Sequence, residues 1–252
     1  MTLVLLTALG VGGASVIGGL IGLIFKKTSH KWNDIILSFA AGVMLAASFV
    51  GLIMPSLELG GTFALPMTVA GIFCGALCVN LIDKLVPHLH RLAGGEQEAH
   101  PDRQQQLNRV LLFVTAIAIH NLPEGIAAGV GFGTGNTAEA LTIAGGIALQ
   151  NIPEGMVIIA PMLAAGMSYG RTLAVALIAG GVEVIGTLLG YFAITVSTAI
   201  LPFALAFAGG TMLYVISDEM IPETHAHGSQ RGATYALLTG LCLMLAMDVL
   251  LG

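Results

Sequence analysis

Residues 110–132 read VLLFVTAIAIHNLPEGIAAGVGF, and residues 140–163 read ALTIAGGIALQNIPEGMVIIAPML. Each run holds one charged side chain, Glu124 in the first and Glu154 in the second. Each also has the ~20 predominantly apolar residues that a helix needs to cross a bilayer. Outward from these two, similar runs lie near Leu3–Phe25, Ile35–Ser56, Thr62–Leu85, Thr172–Ser197, Phe203–Ile221 and Ala233–Leu250. The pattern predicts an all-α integral membrane protein with eight transmembrane helices. Composition agrees: of 252 residues, 56% are hydrophobic and 9% charged, against ~25% charged in a soluble domain. The mean hydropathy of +0.92 excludes a water-soluble globule and a disordered chain. The long runs do not alternate, which excludes a β-barrel. The first run lacks a basic flank and exceeds the ~7–15 apolar residues of a secretory signal, so it is expected to remain as the first helix.

Orientation follows from the nine basic residues. Lys26, Lys27 and Lys31 fall in the first connection, Lys84, Arg91, Arg103 and Arg109 in or beside the third, Arg171 in the fifth and Arg231 in the seventh. The even connections and both termini have none. The positive-inside bias therefore predicts cytoplasmic odd connections and both termini on the extracellular or periplasmic side. One transmembrane domain spans 1–252, with a flexible cytoplasmic loop at about 86–109 that contains Gly94, Gly95, Pro101 and His88, His90 and His100. Nine basic against fourteen acidic residues give a net charge of -5 without a basic block, so no nucleic-acid partner is expected. No G-x-x-x-x-G-K-[ST] loop is present, so no nucleotide is expected either. Cys74, Cys78 and Cys242 lie in apolar runs and suggest no disulfide framework.

Most of the acids sit at span ends or in the long loop, but Glu124, Glu154 and Glu183 fall near the middles of spans four, five and six. An ionisable side chain there costs at least ~2.5–3.5 kcal/mol. The span interiors hold no Lys or Arg to pair with them, which leaves protonation, water or a bound cation as compensation. A divalent cation answers three carboxylates most economically. His120-Asn121-Leu122-Pro123-Glu124-Gly125 recurs thirty positions on as Gln150-Asn151-Ile152-Pro153-Glu154-Gly155. Residues four apart share a helix face, so His120 with Glu124, and Gln150 with Glu154, each offer two ligating groups. Asn121 and Asn151 lie ~100° round from those faces. Each proline frees the carbonyl four residues back, and each trailing glycine permits close helix approach. A helix broken at the midplane beside ligands is how transporters build ion sites.

The paired hexapeptides, the Gly180-Gly181-Val182-Glu183 segment and the eight-span layout resemble the ZIP (Zrt/Irt-like) family of divalent-metal transporters, in its compact bacterial form. The resemblance implies a 3+2+3 arrangement, in which spans one to three and six to eight form a pseudo-twofold inverted repeat and spans four and five carry the metal path. It implies a two-metal centre, with His120, Glu124, Gln150 and Glu154 in one site and Asn121, Asn151 and Glu183 in the other. It further implies uptake into the cytoplasm across a bacterial inner membrane, by movement of one helix group against another. Many family members have His where this chain has Gln150.

Donor chemistry points the same way. One imidazole with carboxylates and amides suits Zn²⁺, Mn²⁺, Fe²⁺ or Cd²⁺, and no thiol or thioether in the motif suggests Cu(I). Zinc is the first choice as transported substrate. Asp218, Glu219, Glu223, His225 and His227, at the inner end of span seven, are candidate acceptors for the departing ion. Gly18 and Gly22 form a G-x-x-x-G pair that fits either another span or another protomer in a homodimer. Two other functions compete. An intramembrane metalloprotease lacks its H-E-x-x-H, since Asn121 follows His120. A proton-coupled carrier of an organic solute would also use midplane carboxylates, and the chain is otherwise not expected to be an enzyme.

Overall fold

The computed structural model describes residues 1–25, 30–85, 121–164, 167–196 and 198–251. Lys26, Lys27, the loop at about 86–109 with its three histidines, and His120 lie outside the described residues. Everything described is helix or short connection, without strand.

Helix α1 spans Thr2–Ile24. Helix α2, His30–Ala46, runs through a π-helical segment, Ala47–Ile53, into α3, Met54–Leu59. Helix α4 is Ala64–Leu85, and α5 covers 121–131. Helix α6, Thr137–Val157, is followed after one turn residue by α7, Ile159–Ala164. Helix α8 is Tyr169–Val196. Helix α9, Leu201–Val215, passes through a second π segment, Ile216–Met220, into α10, Ile221–His225, and α11 is Gln230–Leu251. Among the described residues, six stretches are long and apolar enough to cross a membrane: Thr2–Ile24, Lys31–Leu59, Gly61–Leu81, Tyr169–Val196, Leu201–His225 and Gln230–Leu250. The sequence-predicted span 140–163 is interrupted at Ile158, and of the span 110–132 only the second half is described.

Prolines explain the irregular turns. Pro55 and Pro222 have no N–H to donate to the carbonyls of Gly51 and Asp218, four residues back, and both carbonyls lie in π segments. Pro161 likewise cannot bond the carbonyl of Val157, where α6 ends. At the start of α6, Gly135 adopts a positive φ of 80° and Asn136 caps the helix, its side chain accepting from the N–H groups of Ala138 and Glu139 at 3.0 and 3.4 Å.

The helices sort by how they pack. Helix α1 lies along α6 and α8, α2 along α11, and α4 along α9, while α2 also meets α6. Large apolar side chains such as Phe63, Leu65 and Phe73 around α4, and Tyr235 and Val249 on α11, point outward, as lipid-facing residues do. The centre mixes Val, Ile and Leu with many small and flexible residues, among them Ala40, Ala41, Met44, Ala127, Ala128 and Met212. Close backbone approach, rather than large side chains, is what binds helices where lipid is as apolar as the core. Gly18 and Gly22 illustrate it. A Cβ at either would strike the backbone of α6, at Ile152 and Met156 respectively, so the G-x-x-x-G pair packs another span of the same chain. Met44 and Ser48 pack as well: both are buried, and Ser48 Oγ donates to the Met44 carbonyl at 2.7 Å.

Candidate metal centre

Helices α5, α6 and α8 bring six of the seven sequence-predicted ligands into one region, and the seventh, His120, lies outside the described residues. Glu124, Gln150, Asn151 and Glu183 are buried to 1% exposure or less, while Asn121 and Glu154 are partly covered. Within the region the side chains form two groups. In the first, Gln150 Nε2 donates to Glu124 Oε1 at 2.9 Å, tying α6 to α5. In the second, Glu183 of α8 gathers donors on both carboxylate oxygens. Oε2 accepts from Asn151 Nδ2 at 2.8 Å, and Oε1 accepts from Asn121 Nδ2 and from Ser15 Oγ, the latter at 2.6 Å. Asn151 Nδ2 also reaches the Val11 carbonyl at 3.4 Å.

Ser15 is the residue that sequence reasoning missed. Within its own helix the sequence shows only that Ser15 lies three residues from Gly12 and from Gly18, which places all three on one face of α1, and not which helix that face meets. Both motif glycines have a visible purpose. A Cβ on Gly125 would overlap the carbonyl of Glu183, and one on Gly155 the carbonyl of Ser15. The hexapeptides thus carry their own permission for α5 to touch α8 and for α6 to touch α1, at the residues that meet in the polar cluster.

The cluster is rich in acceptors. Among the described residues, Glu124 Oε2, Gln150 Oε1 and Asn151 Oδ1 are buried without a hydrogen-bond partner, and neither Glu124 nor Glu183 has a Lys or Arg beside it. A buried acceptor left unsatisfied costs ~1–3 kcal/mol. An ionised carboxylate only accepts, and Gln150 and Asn151 turn their NH₂ groups to Glu124 and Glu183, leaving their carbonyl oxygens for something else. Oxygen atoms with lone pairs and no donor are the chemistry of a hard or borderline divalent cation. Among the described residues no three His, Cys, Asp or Glu side chains form a compact group of their own. The shell on offer is carboxylate interleaved with amide.

The candidate acceptors near the end of span seven divide. Glu223 and His227 come together, with His227 Nε2 4.0 Å from Glu223 Oε1, and His227 Nδ1 is 3.1 Å from Oδ1 of Asp34 on α2. His225 turns elsewhere: its Nδ1 lies 2.9 Å from the Ile221 carbonyl and its Nε2 3.3 Å from Thr234 Oγ1. Asp218 and Glu219 sit in the second π segment, the former exposed. At a different place, Glu139 near the start of α6 is close enough to Glu58 and Asp248 to feel their charges.

A family profile described as ZIP Zinc transporter matches residues 87–248. This chain belongs to the ZIP family. It is 39% identical to zinc transporter GufA of Myxococcus xanthus over 98% of both chains. It is 38% identical to zinc transporter ZIPB of Bordetella bronchiseptica, over 95% of this chain and 78% of the relative. Zinc transporter ZupT of Chlorobaculum parvum is 34% identical over 95% of this chain and 94% of its own. ZIP proteins are multi-pass membrane transporters and not enzymes, which removes the metalloprotease reading. The matched region contains both hexapeptides and Glu183, so the family signature and the buried acceptor cluster coincide.

Proposed function

We propose that the chain imports Zn²⁺ into the cytoplasm of a bacterium through a two-metal site at the middle of the inner membrane, with Fe²⁺, Mn²⁺ and Cd²⁺ as further substrates. The observation that carries this reading is the set of buried, partnerless acceptors on Glu124, Gln150 and Asn151 within a chain of a zinc-transporter family. His120, Glu124, Gln150 and Glu154 take the first ion. Asn121, Asn151 and Glu183 take the second, and Ser15 holds the Glu183 carboxylate in place. Incomplete oxygen-rich shells suit a transport site, which must replace the hydration of the ion and yet release it.

In this reading eight spans cross the membrane with both termini outside. The inverted repeat is supported by the likeness of the two halves: α2 and α9 each enter a π segment closed by a proline, and each lies along the helix expected as third in the other half, α11 and α4. The alternating-access movement is that of α1, α5, α6 and α8 against the remaining helices. Support for it comes from the packing at the seam. The atoms nearest to an added Cβ on Gly51 or Gly146 there are side-chain atoms, of Ile143 and of Met244 and Ala47 respectively.

The test is metal uptake by sealed proteoliposomes containing the purified chain, offered Zn²⁺, Cd²⁺, Mn²⁺ and Fe²⁺ in parallel, beside the Glu154→Ala variant. Zinc flux that the variant loses is the expected result. A folded, inserted protein that moves no divalent metal above empty liposomes overturns the reading, and an organic-solute screen would follow.

A further inference from the structure

We propose that Ser15 is a specificity-determining residue of the metal centre: it occupies the position that a pseudo-twofold axis pairs with Glu183, and its hydroxyl stands where the repeat would put a fourth carboxylate. The proposal deepens the two-metal reading above and rests on it.

The pairing begins in the sequence. Residues 12–22, GGASVIGGLIG, resemble residues 180–190, GGVEVIGTLLG, and the same offset relates FAAGVML at 39–45 to FAGGTML at 207–213. Related segments on corresponding helices of two halves are a common plan of transporters. In this register Ser15 stands opposite Glu183, 168 positions on.

The helix contacts follow the same pairing. A Cβ on Gly12 would overlap the carbonyl of Gly180, and one on Gly180 the carbonyl of Gly12, the reciprocal contact that residues beside a twofold axis make. A Cβ on Gly18 would strike the carbonyl of Ile152, and one on its counterpart Gly186 the carbonyl of Leu122. Ile152 and Leu122 hold the same place in the two hexapeptides. Gly155 abuts the carbonyl of Ser15 as Gly125 abuts that of Glu183. The backbone at 15 therefore holds the place against α6 that the backbone at 183 holds against α5. Both side chains are buried and they meet, Ser15 Oγ donating to Glu183 Oε1 at 2.6 Å.

The pairing matters because of what it leaves unequal. Asn121 with Asn151, and Glu124 with Glu154, are like for like. Ser15 with Glu183 is the pair, among the described residues of the cluster, in which the charge differs. Two divalent ions carry four positive charges, while Glu124, Glu154 and Glu183 supply three negative ones. The loaded centre keeps an excess of positive charge, which favours release of an ion. A carboxylate at position 15 would cancel that excess, hold the ions longer and, as a hard oxygen ligand, shift preference from Zn²⁺ toward Mn²⁺.

The test is equilibrium dialysis of Zn²⁺ and Mn²⁺ against the full-length purified chain in detergent, for the wild type, Glu183→Ser, Ser15→Glu and the exchange Ser15→Glu/Glu183→Ser. Glu183→Ser should weaken zinc binding by ~10-fold or more. The exchange returns the carboxylate from the other side of the axis and should restore binding to within ~3-fold of wild type. Ser15→Glu alone should raise the manganese-to-zinc affinity ratio and slow zinc uptake by proteoliposomes. A folded exchange variant that binds zinc as poorly as Glu183→Ser overturns the proposal and leaves the two-metal reading standing. Zinc binding that Glu183→Ser leaves unchanged overturns both. Should a carboxylate at position 15 prevent folding, Ser15→Cys, close to serine in size, decides. A thiol lining the site should raise the cadmium-to-manganese affinity ratio by ~10-fold or more, and an unchanged ratio overturns the proposal.

Discussion

Two kinds of helix contact coexist in this molecule, and the difference separates contacts that cannot yield from contacts that can. Inside the group formed by α1, α5, α6 and α8, most of the closely packed glycines face backbone, Gly19 against the Ala176 side chain being an exception. A Cβ on Gly12 would overlap the carbonyl of Gly180, one on Gly18 that of Ile152, and one on Gly125 that of Glu183. The pairs α2–α11 and α4–α9 are built alike, as Gly42 against Leu237 and Gly75 against Phe207. Where α6 of the first group meets α2 and α11, the equivalent neighbours are side chains: Ile143 over Gly51, and Met244 over Gly146. Backbone against backbone fixes register, because neither surface can yield. Side-chain ends over glycine can change rotamer and pass. The polar cluster lies wholly within the first kind of contact, so Glu124, Gln150, Asn151 and Glu183 keep their mutual geometry through any motion along the seam.

The largest expected effect is at the keyed contact beside the site. Gly125→Ala forces α5 away from Glu183 and should destabilise the protein by ~1–3 kcal/mol, read as denaturant unfolding in detergent, with weakened zinc binding in the same preparation. Ser15→Ala removes one of the donors to Glu183 without touching any seam residue. It should cost ~1 kcal/mol, the scale of interhelical hydrogen bonds in membranes, and lower zinc affinity; unchanged affinity would mean that Ser15 only packs. Gly146→Ala sharpens the contrast. An added Cβ would lie 2.5 Å from Met244 Sδ, an atom far along an unbranched side chain that can rotate away, so its cost should stay below ~1 kcal/mol and below that of Gly125→Ala. Equal costs for the two would erase the distinction between keyed and sliding contacts. The smallest effect concerns selectivity alone. Gln150→His exchanges an amide for a nitrogen donor and should raise the zinc-to-manganese affinity ratio in a competition titration, with stability close to wild type.

The apolar runs were legible because a membrane helix must be apolar throughout its length, and the six long helices begin and end within a few residues of those runs. The carboxylates were legible because charge in such a run has a cost that demands a reason. Three features were not. The π segments at Ala47–Ile53 and Ile216–Met220 depend on where the ladder redistributes around Pro55 and Pro222, and a proline in sequence marks only the missing N–H. The partner of Gly18 and Gly22 was ambiguous because a small-residue stripe does not name the surface it meets; here it is α6. Ser15 and Asp34 join their sites from helices far away in the sequence, and periodicity along one helix carries no information about contacts between helices.

The central claim is that the buried carboxylates serve the cargo rather than the fold. Its most direct test is zinc uptake by proteoliposomes containing Glu124→Gln, with unfolding measured on the same protein. The substitution keeps the shape of the side chain and removes a buried carboxyl whose charge no described Lys or Arg would neutralise. Uptake should fall by ~10-fold or more, the loss of ~1.4 kcal/mol or more of ion binding, while stability equals or exceeds that of the wild type. Uptake within about twofold of wild type, or a protein that unfolds readily for want of the charge, would contradict the account.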